Sequence, residues 1–460
     1  MAFALRLWYD RRVTFHLHTY GCQMNVRDSE AVAALLSAAG YEEAASEEDA
    51  DIAIVNSCTV RERAENKAVG KTGYLLAAKR AGRLKVAGLM GCAVQRLGES
   101  VFKALPGLDF AVGPRRYGAI PRLIERALAG ESGMLEISGP DEVPQSMDAH
   151  GDCGFRAFTT VLLGCDNRCS YCIVPDVRGR EYSRPAREVA AEAAALAARG
   201  VKEITLLGQS VLRYGRRNPA FAPDDPPSPG GYSQPFPRLL EMLQTIPGLE
   251  RIRFTSGHPS GCTDELVRAF AEMPKVCRHL HLPVQSGSDR VLKEMGRGYT
   301  RARYLAAVAK LRAFDPEFAV TTDVIVGYPG ETDADFEDTR SLMEEAGFDN
   351  AFVFKYSPRP GTRSALLADD VPREEKERRD AVLLADQDAR GAARNARLAG
   401  TVRRILAEGP SARNAARWSG RDGGNRITVF EPGAAPPAPG TFLDVRITRT
   451  APQTLYGEIA

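Results

Sequence analysis

Three cysteines within eight residues constrain most strongly what this chain can fold into. Cys165, Cys169 and Cys172 are spaced C-x3-C-x2-C and follow the apolar, β-branched run 158–163, which predicts a buried strand. A loop that leaves a strand in this way can bring three thiolates to one centre, and cysteine thiolates, usually four, hold iron–sulfur clusters. Three thiolates would leave one iron open to a small molecule. The spacing therefore predicts a catalytic cluster rather than a plain electron carrier.

Two other interpretations of these cysteines are a zinc knuckle and a group of buried thiols. Structural zinc takes four ligands, commonly from paired C-x2-C units. The sequence has no second C-x2-C pair and no histidine close to the motif. We therefore favour the iron–sulfur cluster over both.

The spacing of the motif, with Tyr171 before its last cysteine, resembles that of the radical S-adenosylmethionine enzymes. The resemblance implies a 4Fe-4S cluster on Cys165, Cys169 and Cys172, whose open iron binds the amino and carboxylate groups of S-adenosylmethionine. Reductive cleavage of that cofactor would give a 5′-deoxyadenosyl radical. The resemblance also places the backbone near Tyr171 against the adenine of the cofactor, although the Tyr171 ring by itself could equally belong to the core.

The composition is that of an ordinary globular protein, with 44% hydrophobic and 26% charged residues among 460. This length allows about two to four domains. No apolar run approaches the roughly 20 residues that cross a bilayer, and residues 1–12 combine several charges with no small-residue cleavage site, unlike a signal peptide. We therefore expect a cytoplasmic protein whose nine cysteines serve metal or redox chemistry rather than disulfides.

In the first third of the chain, three predicted strands each lead to a cysteine, and a helical pattern follows each one. The strands are 13–19 before Cys22, 51–57 before Cys58, and 84–91 before Cys92, and the first helix is expected to start from Asp28 or Ser29 as N-cap. Such alternation predicts a parallel sheet, in which all strands end at the edge where ligands bind. One cysteine there could be a buried small hydrophobe, but three in register predict a second metal site, again with one open iron.

The residues around these cysteines resemble the three cysteine motifs of the methylthiotransferase family. They read Tyr20-Gly-Cys-Gln-Met-Asn25, Asn56-Ser-Cys-Thr-Val-Arg-Glu62 and Gly91-Cys-Ala-Val-Gln95. The first motif resembles the MiaB branch, which acts on N6-dimethylallyladenosine (isopentenyladenosine) in tRNA; sister branches act on a ribosomal protein or on threonylcarbamoyl-adenosine in tRNA. The resemblance implies that Cys22, Cys58 and Cys92 bind an auxiliary 4Fe-4S cluster involved in delivering the sulfur.

From residue 158 onward, strand and helix patterns alternate six times, which predicts a partial (β/α)6 barrel, the fold that the radical S-adenosylmethionine resemblance also implies. The predicted strands are 159–164, 203–208, 251–256, 279–284, 320–327 and 351–356. Active sites of parallel barrels lie at the C-terminal ends of the strands. The candidate cofactor-binding residues at these ends, besides Tyr171, are Gly208, Gln209, Ser256, Gln285, Gly327 and Glu331.

Several of these positions have equally good structural interpretations. The segments 281–289 and 323–331 resemble family signatures, but Gly327 also suits a tight turn, and His258 could be a hydrogen-bonded structural residue. The arginines of the segment 177–184 could clamp a tRNA phosphate or the cofactor carboxylate, or lie in a solvated loop. After Gly208-Gln209 the MiaB branch usually has Asn-Val-Asn, whereas this chain has Ser210-Val211-Leu212, which puts local substrate contacts in doubt. The segment 214–237 is expected to be a long mobile loop.

The last part of the chain predicts a charged helical connector, 372–397, and a small β-barrel with strands 401–408, 426–430, 441–448 and 455–459. Position and arginine content resemble the TRAM domain, an RNA-binding barrel. From residue 391 to the end there are ten Arg, no Lys and five acidic residues, a charge of +5 that leaves −3 for the remainder. Such a surface could bind tRNA phosphates without recognising the nucleotide sequence, or could simply be exposed to solvent.

The predicted fold class is therefore α/β, with a parallel-sheet N-terminal domain, a partial (β/α)6 radical S-adenosylmethionine barrel and a small TRAM-like β-barrel. The expected domains are 1–138, which carries the auxiliary cluster, a linker 139–152, the radical domain 153–390 and the RNA-binding domain 391–460. Cys153, Cys262 and Cys277 match no ligand pattern and are expected to be free thiols.

The function implied is a methylthiotransferase that replaces the C2 hydrogen of N6-isopentenyladenosine next to the tRNA anticodon. That C–H bond is neither acidic nor electrophilically activated, so a carbon radical is needed, and one S-adenosylmethionine would supply the radical while another supplies the methyl group. The expected partners are this tRNA with its target base unstacked, a sulfur source, and an electron donor such as flavodoxin or ferredoxin, with no membrane and a monomeric chain. The alternatives are a sister-branch enzyme, a non-enzymatic RNA-binding iron–sulfur sensor, and a zinc-stabilised RNA-binding protein.

Overall fold

A computed structural model of the chain describes residues 13–60, 62–139, 142–143, 149–433 and 435–460. The N-terminal residues 1–12, considered above for a signal peptide, and residues 140–141 and 144–148 of the expected linker lie outside the described part. Within the described residues no helix is long and apolar enough to span a bilayer. None of the nine cysteines, all of which are described, forms a disulfide.

The predicted strands and helices are largely present, with helices between most strands, but short strands at Glu42–Glu43, Phe110–Val112, Met134–Glu136 and Tyr182–Ser183 were not predicted. The strands are β1 (Thr14–Tyr20), β2 (Glu42–Glu43), β3 (Ile52–Ser57), β4 (Val86–Gly91), β5 (Phe110–Val112), β6 (Met134–Glu136), β7 (Arg156–Thr160), β8 (Leu162–Leu163), β9 (Tyr182–Ser183), β10 (Glu203–Leu207), β11 (Arg251–Phe254), β12 (His279–His281), β13 (Ala319–Val326), β14 (Asn350–Lys355), β15 (Val402–Ser411), β16 (Asn414–Arg421), β17 (Ile427–Glu431), β18 (Phe442–Ala451) and β19 (Thr454–Ile459). The helices are α1 (Gln23–Ala38), α2 (Glu62–Arg80), α3 (Cys92–Leu97), α4 (Ser100–Ala104), α5 (Ile120–Leu128), α6 (Val174–Arg178), α7 (Ala186–Ala198), α8 (Pro235–Gln244), α9 (Asp264–Glu272), α10 (Asp289–Glu294), α11 (Arg301–Phe314), α12 (Asp333–Ala346) and α13 (Arg373–Ala396).

The chain divides into two compact units. One comprises Met1–Cys153, Leu162–Asp166 and Ile173–Tyr182, and the other Gly154–Val161, Asn167–Cys172 and Ser183–Ala460. The first unit is built on a parallel sheet with strand order β2-β1-β3-β4-β5-β6. Strands β3 and β4 are buried along their whole length, as expected of central strands that are covered on both faces.

Helix α1 begins earlier than the sequence predicted. We expected Asp28 or Ser29 as N-cap, but the helix begins at Gln23 with Cys22 as its N-cap. The Cys22 backbone NH donates to Asn25 Oδ1 at 3.2 Å, which satisfies a group near the helix start that would otherwise need another partner. Cys22 therefore stands at a helix N-terminus, where the helix dipole favours a thiolate.

The second unit contains an arc of parallel strands. β7, β10 and β11 form one three-stranded sheet, and β12, β13 and β14 form another. The backbone NH of Gly257 donates to the carbonyl of His281 at 3.0 Å, so the two sheets are joined beyond the end of β11. The α/β fold class and the partial barrel predicted from the sequence are confirmed.

The segment 214–237, predicted to be a long loop, does contain little regular structure before α8 begins at Pro235. Both of its ends are nevertheless anchored, because Tyr214 is 1% and Tyr232 4% exposed. The Tyr214 hydroxyl donates to the carbonyl of Arg184 at 2.6 Å. The loop therefore keeps fixed attachment points beside the barrel strands.

Strands β15 to β19 close into a barrel with the order β15-β16-β17-β19-β18. The predicted small β-barrel and the preceding helix α13 are confirmed, but the sequence analysis missed β16. That strand, Asn-Ala-Ala-Arg-Trp-Ser-Gly-Arg, has no clean alternation of apolar and polar residues. Trp418 alone on this strand joins the apolar core, beside residues such as Ile405 and Phe430.

A buried carboxylate ties strand β15 to the turn between β16 and β17. Asp422 is 1% exposed, and its Oδ2 accepts from Arg403 Nη2 at 3.1 Å and Arg426 Nη1 at 3.4 Å. Asp422→Ala would remove this carboxylate while Arg403 keeps Glu317 and Arg426 keeps Asp349, so we expect a loss of about 1–3 kcal/mol in the free energy of unfolding. Urea denaturation followed by the fluorescence of Trp418, in a Trp8→Phe background, measures it.

The matched control is Asp444→Ala, which removes an exposed carboxylate from the same barrel. This variant should change the free energy of unfolding by less than about 0.5 kcal/mol. If the two variants unfold at the same urea concentration, the stabilising role of Asp422 is wrong.

Candidate iron–sulfur and cofactor site

Three cysteines lie at one edge of the parallel sheet of the first unit. β1, β3 and β4 are neighbours, and their last residues are paired in one row. Cys58 and Cys92 come directly after this row, and Cys22 follows it by two residues. The structure therefore places all three at the edge that the sequence predicted, while their role as ligands stays a prediction.

The backbone around these cysteines leaves no room for a side chain at Gly91. Gly91 has φ 104°, and a Cβ there would overlap the side chain of Asn56 and the carbonyl of Ser57. Asn56 Nδ2 in turn donates to the carbonyl of Asn25 at 2.8 Å, and Asn25 Nδ2 donates to Asn56 Oδ1 at 3.0 Å. The two asparagines thus hold together the loops that carry Cys22 and Cys58. Both asparagines lie within the cysteine motifs, but the sequence pattern alone indicated no role for them.

The thiol groups interact with one another. A hydrogen bond with the Cys58 thiol holds the pKa of Cys22 well below its usual value, and the same bond raises the pKa of Cys58. Burial raises the pKa of Cys92, against the opposing charge of Arg178. Three thiols that interact in this way cannot all ionise without added positive charge. A metal cluster supplies that charge, so the donor set fits an iron–sulfur centre.

No three His, Cys, Asp or Glu side chains in the described ranges are grouped closely enough to hold a single metal ion. A cluster of several irons spaces its ligands more widely than one ion does.

A buried cation lies against the third of these cysteines. Arg178, at the end of α6, donates through Nε to Cys92 Sγ at 3.2 Å and through Nη2 to Asp28 Oδ2 at 2.7 Å. The Tyr117 hydroxyl also donates to Asp28 Oδ2, at 3.1 Å. Side-chain exposure is only 4% for Arg178 and 0% for Asp28. The interpretation of Arg178 as part of a solvated loop is therefore wrong, and a clamp on a phosphate or the cofactor carboxylate stays a prediction.

The solvated-loop interpretation is wrong for Arg184 as well. Its side chain is 8% exposed and is engaged inside the second unit, where Nη1 donates to Glu192 Oε2 at 2.6 Å and to the carbonyl of Thr160 at 2.8 Å. Arg180, by contrast, is 47% exposed and lies 3.3 Å from Asp166 Oδ1. Sequence reasoning could not separate these arginines, because the partners Asp28 and Glu192 lie far from or outside the motif.

Replacing Arg178 tests how this cation supports the cysteine edge. In Arg178→Met the carboxylate of Asp28 stays buried without its counter-charge, so we expect a loss of about 3–5 kcal/mol of stability. We also expect a lower iron content after reconstitution, since Cys92 loses its neighbouring cation. Thermal denaturation and iron analysis measure the two effects.

The exposed neighbour provides the control for that experiment. Arg180→Met should leave both stability and iron content close to wild type, and an Asp28→Asn/Arg178→Met double variant should recover part of the lost stability. Equal behaviour of the Arg178→Met and Arg180→Met proteins would contradict the role given to Arg178.

The C-x3-C-x2-C loop is held by backbone contacts at both ends. Gly164 has φ 74°, and a Cβ there would overlap the carbonyls of Gly179 and Arg180. Cys165 NH donates to the Gly179 carbonyl at 3.1 Å. At the other end, Cys172 NH donates to the carbonyl of Cys169 at 3.2 Å, which closes a turn between these two cysteines.

An arginine that the sequence analysis missed contacts this loop within the second unit. Arg297 Nη1 lies 3.4 Å from both Cys169 Sγ and the Tyr171 hydroxyl. Its Nε donates to the Tyr299 hydroxyl at 2.9 Å, which fixes the guanidinium. Arg297 is 8% exposed, so it brings a buried positive charge to a predicted cluster ligand. A lone arginine in the run Gly-Arg-Gly gave no sequence signal for this contact.

The Tyr171 ring packs beside a core cluster that contains Met295, Tyr328 and Tyr356. Burial raises the pKa of its hydroxyl well above the usual value, against the charge of Arg297. The ring therefore has the structural role that the sequence analysis considered. A contact between the cofactor and the backbone near Tyr171 stays a prediction.

Two predicted cofactor-binding residues have strained backbones. Ser256, beyond the end of β11, has φ 62°, and Gln285, beyond β12, has φ 74°. Residues other than glycine adopt this left-handed region rarely, and such strain is often found at functional sites. Both strained residues lie at the C-terminal ends of barrel strands, where the sequence placed the active site.

Unpartnered polar atoms mark the ends of two neighbouring strands, β7 and β10. Gly208 is buried there, and Gln209 Oε1 and Ser210 Oγ are buried without a hydrogen-bond partner among the described residues. The same holds for the hydroxyls of Thr159 and Thr160 on β7. Buried polar groups normally find a partner in protein or water. These strand ends are therefore suited to a polar ligand.

The last two predicted cofactor-binding residues form a turn. Gly327 has φ 71°, and its NH donates to Glu331 Oε1 at 2.9 Å. Glu331 is ion-paired with Arg379 of α13 at 2.7 Å, and both side chains are buried. The tight-turn interpretation of Gly327 is confirmed, and contacts of either residue with the cofactor stay predictions.

His258 behaves as the structural alternative expected. Its Nδ1 lies 2.7 Å from Ser260 Oγ, and its ring meets that of Tyr299 edge-on at 5.4 Å. Burial, followed by the charge of Arg297, lowers the pKa of His258 to about 3. The imidazole is therefore neutral at physiological pH and adds no charge to the strand ends.

Three family models match the chain in succession. Residues 14–113 match an uncharacterized protein family, UPF0004, residues 159–343 match the radical SAM superfamily, and residues 396–460 match the TRAM domain. Among solved structures, the radical S-adenosylmethionine methyltransferase TsrM from Kitasatospora setae is 14% identical with a TM-score of 0.56, covering 77% of this chain and 74% of its own. The cobalamin-dependent S-adenosylmethionine radical enzyme OxsB gives a TM-score of 0.51 at 12% identity, with 83% of this chain and 56% of OxsB covered. These likenesses show the fold.

Curated relatives match nearly the whole chain. A protein of Opitutus terrae is 43% identical over 96% of this chain and 97% of its own length, and one of Geobacter metallireducens is 44% identical over 97% and 98%. A protein of Akkermansia muciniphila is 43% identical over 96% and 98%. All three carry the name tRNA-2-methylthio-N(6)-dimethylallyladenosine synthase. At this identity and coverage, the chain belongs to the tRNA-2-methylthio-N(6)-dimethylallyladenosine synthase family of radical SAM enzymes.

Proposed function

We propose that the chain is the methylthiotransferase that adds a methylthio group to C2 of N6-isopentenyladenosine next to the tRNA anticodon. The observation that carries the proposal is the pair of cysteine triads, one along a single row of sheet ends and one after the first barrel strand, in a chain similar to this family over its full length. The relatives' name supplies the substrate. The proposed domains remain 1–138, 139–152 for the linker, 153–390 and 391–460.

The cysteines fit two clusters with one open iron each. We assign Cys165, Cys169 and Cys172 to the 4Fe-4S cluster that the radical SAM family uses with S-adenosylmethionine, and Cys22, Cys58 and Cys92 to an auxiliary 4Fe-4S cluster. With its cofactor bound, the first cluster supplies a carbon radical, which can remove a hydrogen that acid–base groups cannot. Arg297 and Arg178 place buried positive charge against one cysteine of each set, where it can offset negative charge on a bound cluster.

The barrel residues would hold the cofactor at the strand ends. We propose Tyr171, Gly208, Gln209, Ser256, Gln285, Gly327 and Glu331 as its contacts. The unpartnered Gln209 oxygen can accept from an amino or hydroxyl group of the cofactor. The strained backbones of Ser256 and Gln285 support the same location, since strain of this kind is maintained where a ligand needs a fixed backbone.

The TRAM barrel would hold the RNA. Its arginine-rich surface suits contacts with phosphates, which position a nucleic acid without reading its sequence. The partners proposed are tRNA bearing N6-isopentenyladenosine, a sulfur source, and an electron donor such as flavodoxin or ferredoxin. The location we propose for this reaction is the cytoplasm.

Two matched tRNAs test the substrate. One carries N6-isopentenyladenosine next to the anticodon and the other carries threonylcarbamoyl-adenosine at the same position. Anaerobically reconstituted protein with S-adenosylmethionine and dithionite should convert only the first, as measured by nucleoside chromatography and mass spectrometry. Conversion of the second alone would assign the chain to the sister branch, and conversion of neither would favour the iron–sulfur sensor.

A further inference from the structure

Two phenylalanines of the last barrel strand are exposed on one face. Phe352 and Phe354 of β14 have 50% and 40% of their surface exposed. Lys355, the next residue, reaches α13, where its Nζ lies 3.5 Å from Glu377 Oε1. Because side chains alternate along a strand, Phe352 and Phe354 point to the face opposite this helix. In a barrel of this type the helices lie outside, so the two rings face the interior of the arc.

Strands β12 and β13 contribute two polar side chains to this face. Asp323 of β13 is paired in register with Phe352, and its Oδ2 lies 3.4 Å from His281 Nε2 of β12. His281 also meets the ring of Phe352 edge-on at 6.0 Å. The carboxylate of Asp323 keeps 29% of its surface exposed, so it is open to a further donor. Ile325, paired with Phe354, is partly buried and continues the apolar surface.

This face differs from the rest of the sheet. On the opposite face of the same strands, Leu280, Thr322 and Val324 are completely buried, as expected beneath packed helices. Only the interior face combines exposed aromatic rings with an exposed acceptor. Exposed aromatic rings inside a barrel usually belong to a binding surface.

We infer that Phe352 and Phe354 form the surface on which the N6-alkylated adenosine lies, with Asp323 facing the hydrogen on N6. The inference rests on the proposed function, which supplies a purine ring, an apolar N6 substituent and a single N6 donor. Bases removed from a helical stack commonly bind on aromatic side chains, and this contact does not depend on base identity. The branched alkyl group adds apolar surface that Phe354 and Ile325 can bury. These residues would therefore select the alkylated base over plain adenosine.

A double substitution tests this surface. In Phe352→Ala/Phe354→Ala, the KM for tRNA bearing N6-isopentenyladenosine should rise about tenfold or more, because stacking on both rings is lost. The preference for this tRNA over the same tRNA with unmodified adenosine should fall towards unity. Formation of 5′-deoxyadenosine without tRNA should stay at the wild-type rate, since neither ring belongs to the proposed cofactor contacts. Phe352→Tyr/Phe354→Tyr should retain the preference.

The control removes exposed apolar side chains elsewhere in the same unit. Leu366 and Leu384 are 88% and 43% exposed, and Leu366→Ala/Leu384→Ala should leave both KM and preference unchanged. Wild-type KM and preference in the phenylalanine variant would overturn the inference, and so would an equal rise in KM for both tRNAs.

A wrong proposed function would give a result that differs from that of a wrong inference about the two phenylalanines. In that case the wild-type chain would modify neither tRNA. Equilibrium dialysis with free N6-isopentenyladenosine would then decide the inference separately. Binding by wild type that is lost in Phe352→Ala/Phe354→Ala supports the aromatic surface, and equal binding or no binding by both proteins overturns it.

Discussion

Replacing Cys165, Cys169 and Cys172 together by alanine is expected to abolish the formation of 5′-deoxyadenosine from S-adenosylmethionine. The three thiolates are the proposed ligands of the cluster that reduces the cofactor, and cluster binding requires thiolate ligands. Arg297 would remain but would have no thiolate to stabilise at Cys169. Anaerobic reconstitution, followed by dithionite, S-adenosylmethionine and chromatography, measures the product. Iron analysis should show about half of the wild-type content, since the auxiliary set is left intact.

A second triple variant controls for the loss of three thiols. Cys153, Cys262 and Cys277 match no ligand pattern, and the last two are buried thiols. Burial raises the pKa of Cys277 and of Cys262, which keeps both protonated. Their joint replacement by alanine should leave iron content and 5′-deoxyadenosine formation close to wild type. Formation of 5′-deoxyadenosine by the Cys165/Cys169/Cys172 variant would show that this set is not the cofactor-reducing site.

Replacing Cys22, Cys58 and Cys92 together by alanine is expected to abolish methylthiolation of the tRNA but not the cleavage of S-adenosylmethionine. Methylthiolated nucleoside should disappear, whereas 5′-deoxyadenosine should still form, because these cysteines belong to the first unit's sheet edge and not to the barrel loop. Mass spectrometry of tRNA nucleosides and chromatography of 5′-deoxyadenosine from one reaction measure both products. Like the Cys165/Cys169/Cys172 variant, this variant should keep about half of the iron.

The variant must be shown to be folded, because Cys58 and Cys92 are buried. Near-wild-type circular dichroism and a near-wild-type thermal denaturation curve satisfy this condition together. Methylthiolation at the wild-type rate by the folded variant would show that a cluster on these three cysteines is not needed for the reaction. Loss of both products in a folded variant would mean that the two sets do not act independently.

Much of the fold follows from local patterns in the sequence. Strand and helix patterns alternate clearly in the first unit and in the barrel, and parallel connection brings the strand ends to one edge regardless of the details of packing. For this reason the sequence placed Cys22, Cys58 and Cys92 together, although 36 and 34 residues separate them. The cysteine spacing near Cys165 is informative on its own, because it needs no knowledge of the tertiary fold.

Other features depend on contacts that no local pattern encodes. Arg178 looked like a surface residue because its partner Asp28 lies 150 positions earlier. The early start of α1 depends on the Asn25 side chain, which accepts from the Cys22 backbone. Strand β16 forms because its neighbours β15 and β17 pair with it, not because its own residues alternate. The strained backbone of Ser256 and Gln285 likewise follows from tertiary structure.

The exposed interior face of β14 could not be predicted from the sequence either. In sequence, Phe352 and Phe354 belong to an alternating strand and suggest only core residues. Their exposure becomes visible once α13 is seen to cover the other face of the strand. A strand's exposed face is set by what packs on it, and that information lies in residues 373–396 rather than in the strand itself.

The account is tested most directly by one reaction with the wild-type chain. Reconstituted protein is given S-adenosylmethionine with a deuterated methyl group, sulfide, dithionite and tRNA bearing N6-isopentenyladenosine, and the nucleosides are analysed by mass spectrometry. We predict a nucleoside in which a deuterium-labelled methylthio group replaces one hydrogen of the base, together with 5′-deoxyadenosine. Unchanged N6-isopentenyladenosine, in a reaction where the protein carries both clusters and the cofactor is cleaved, would contradict the account.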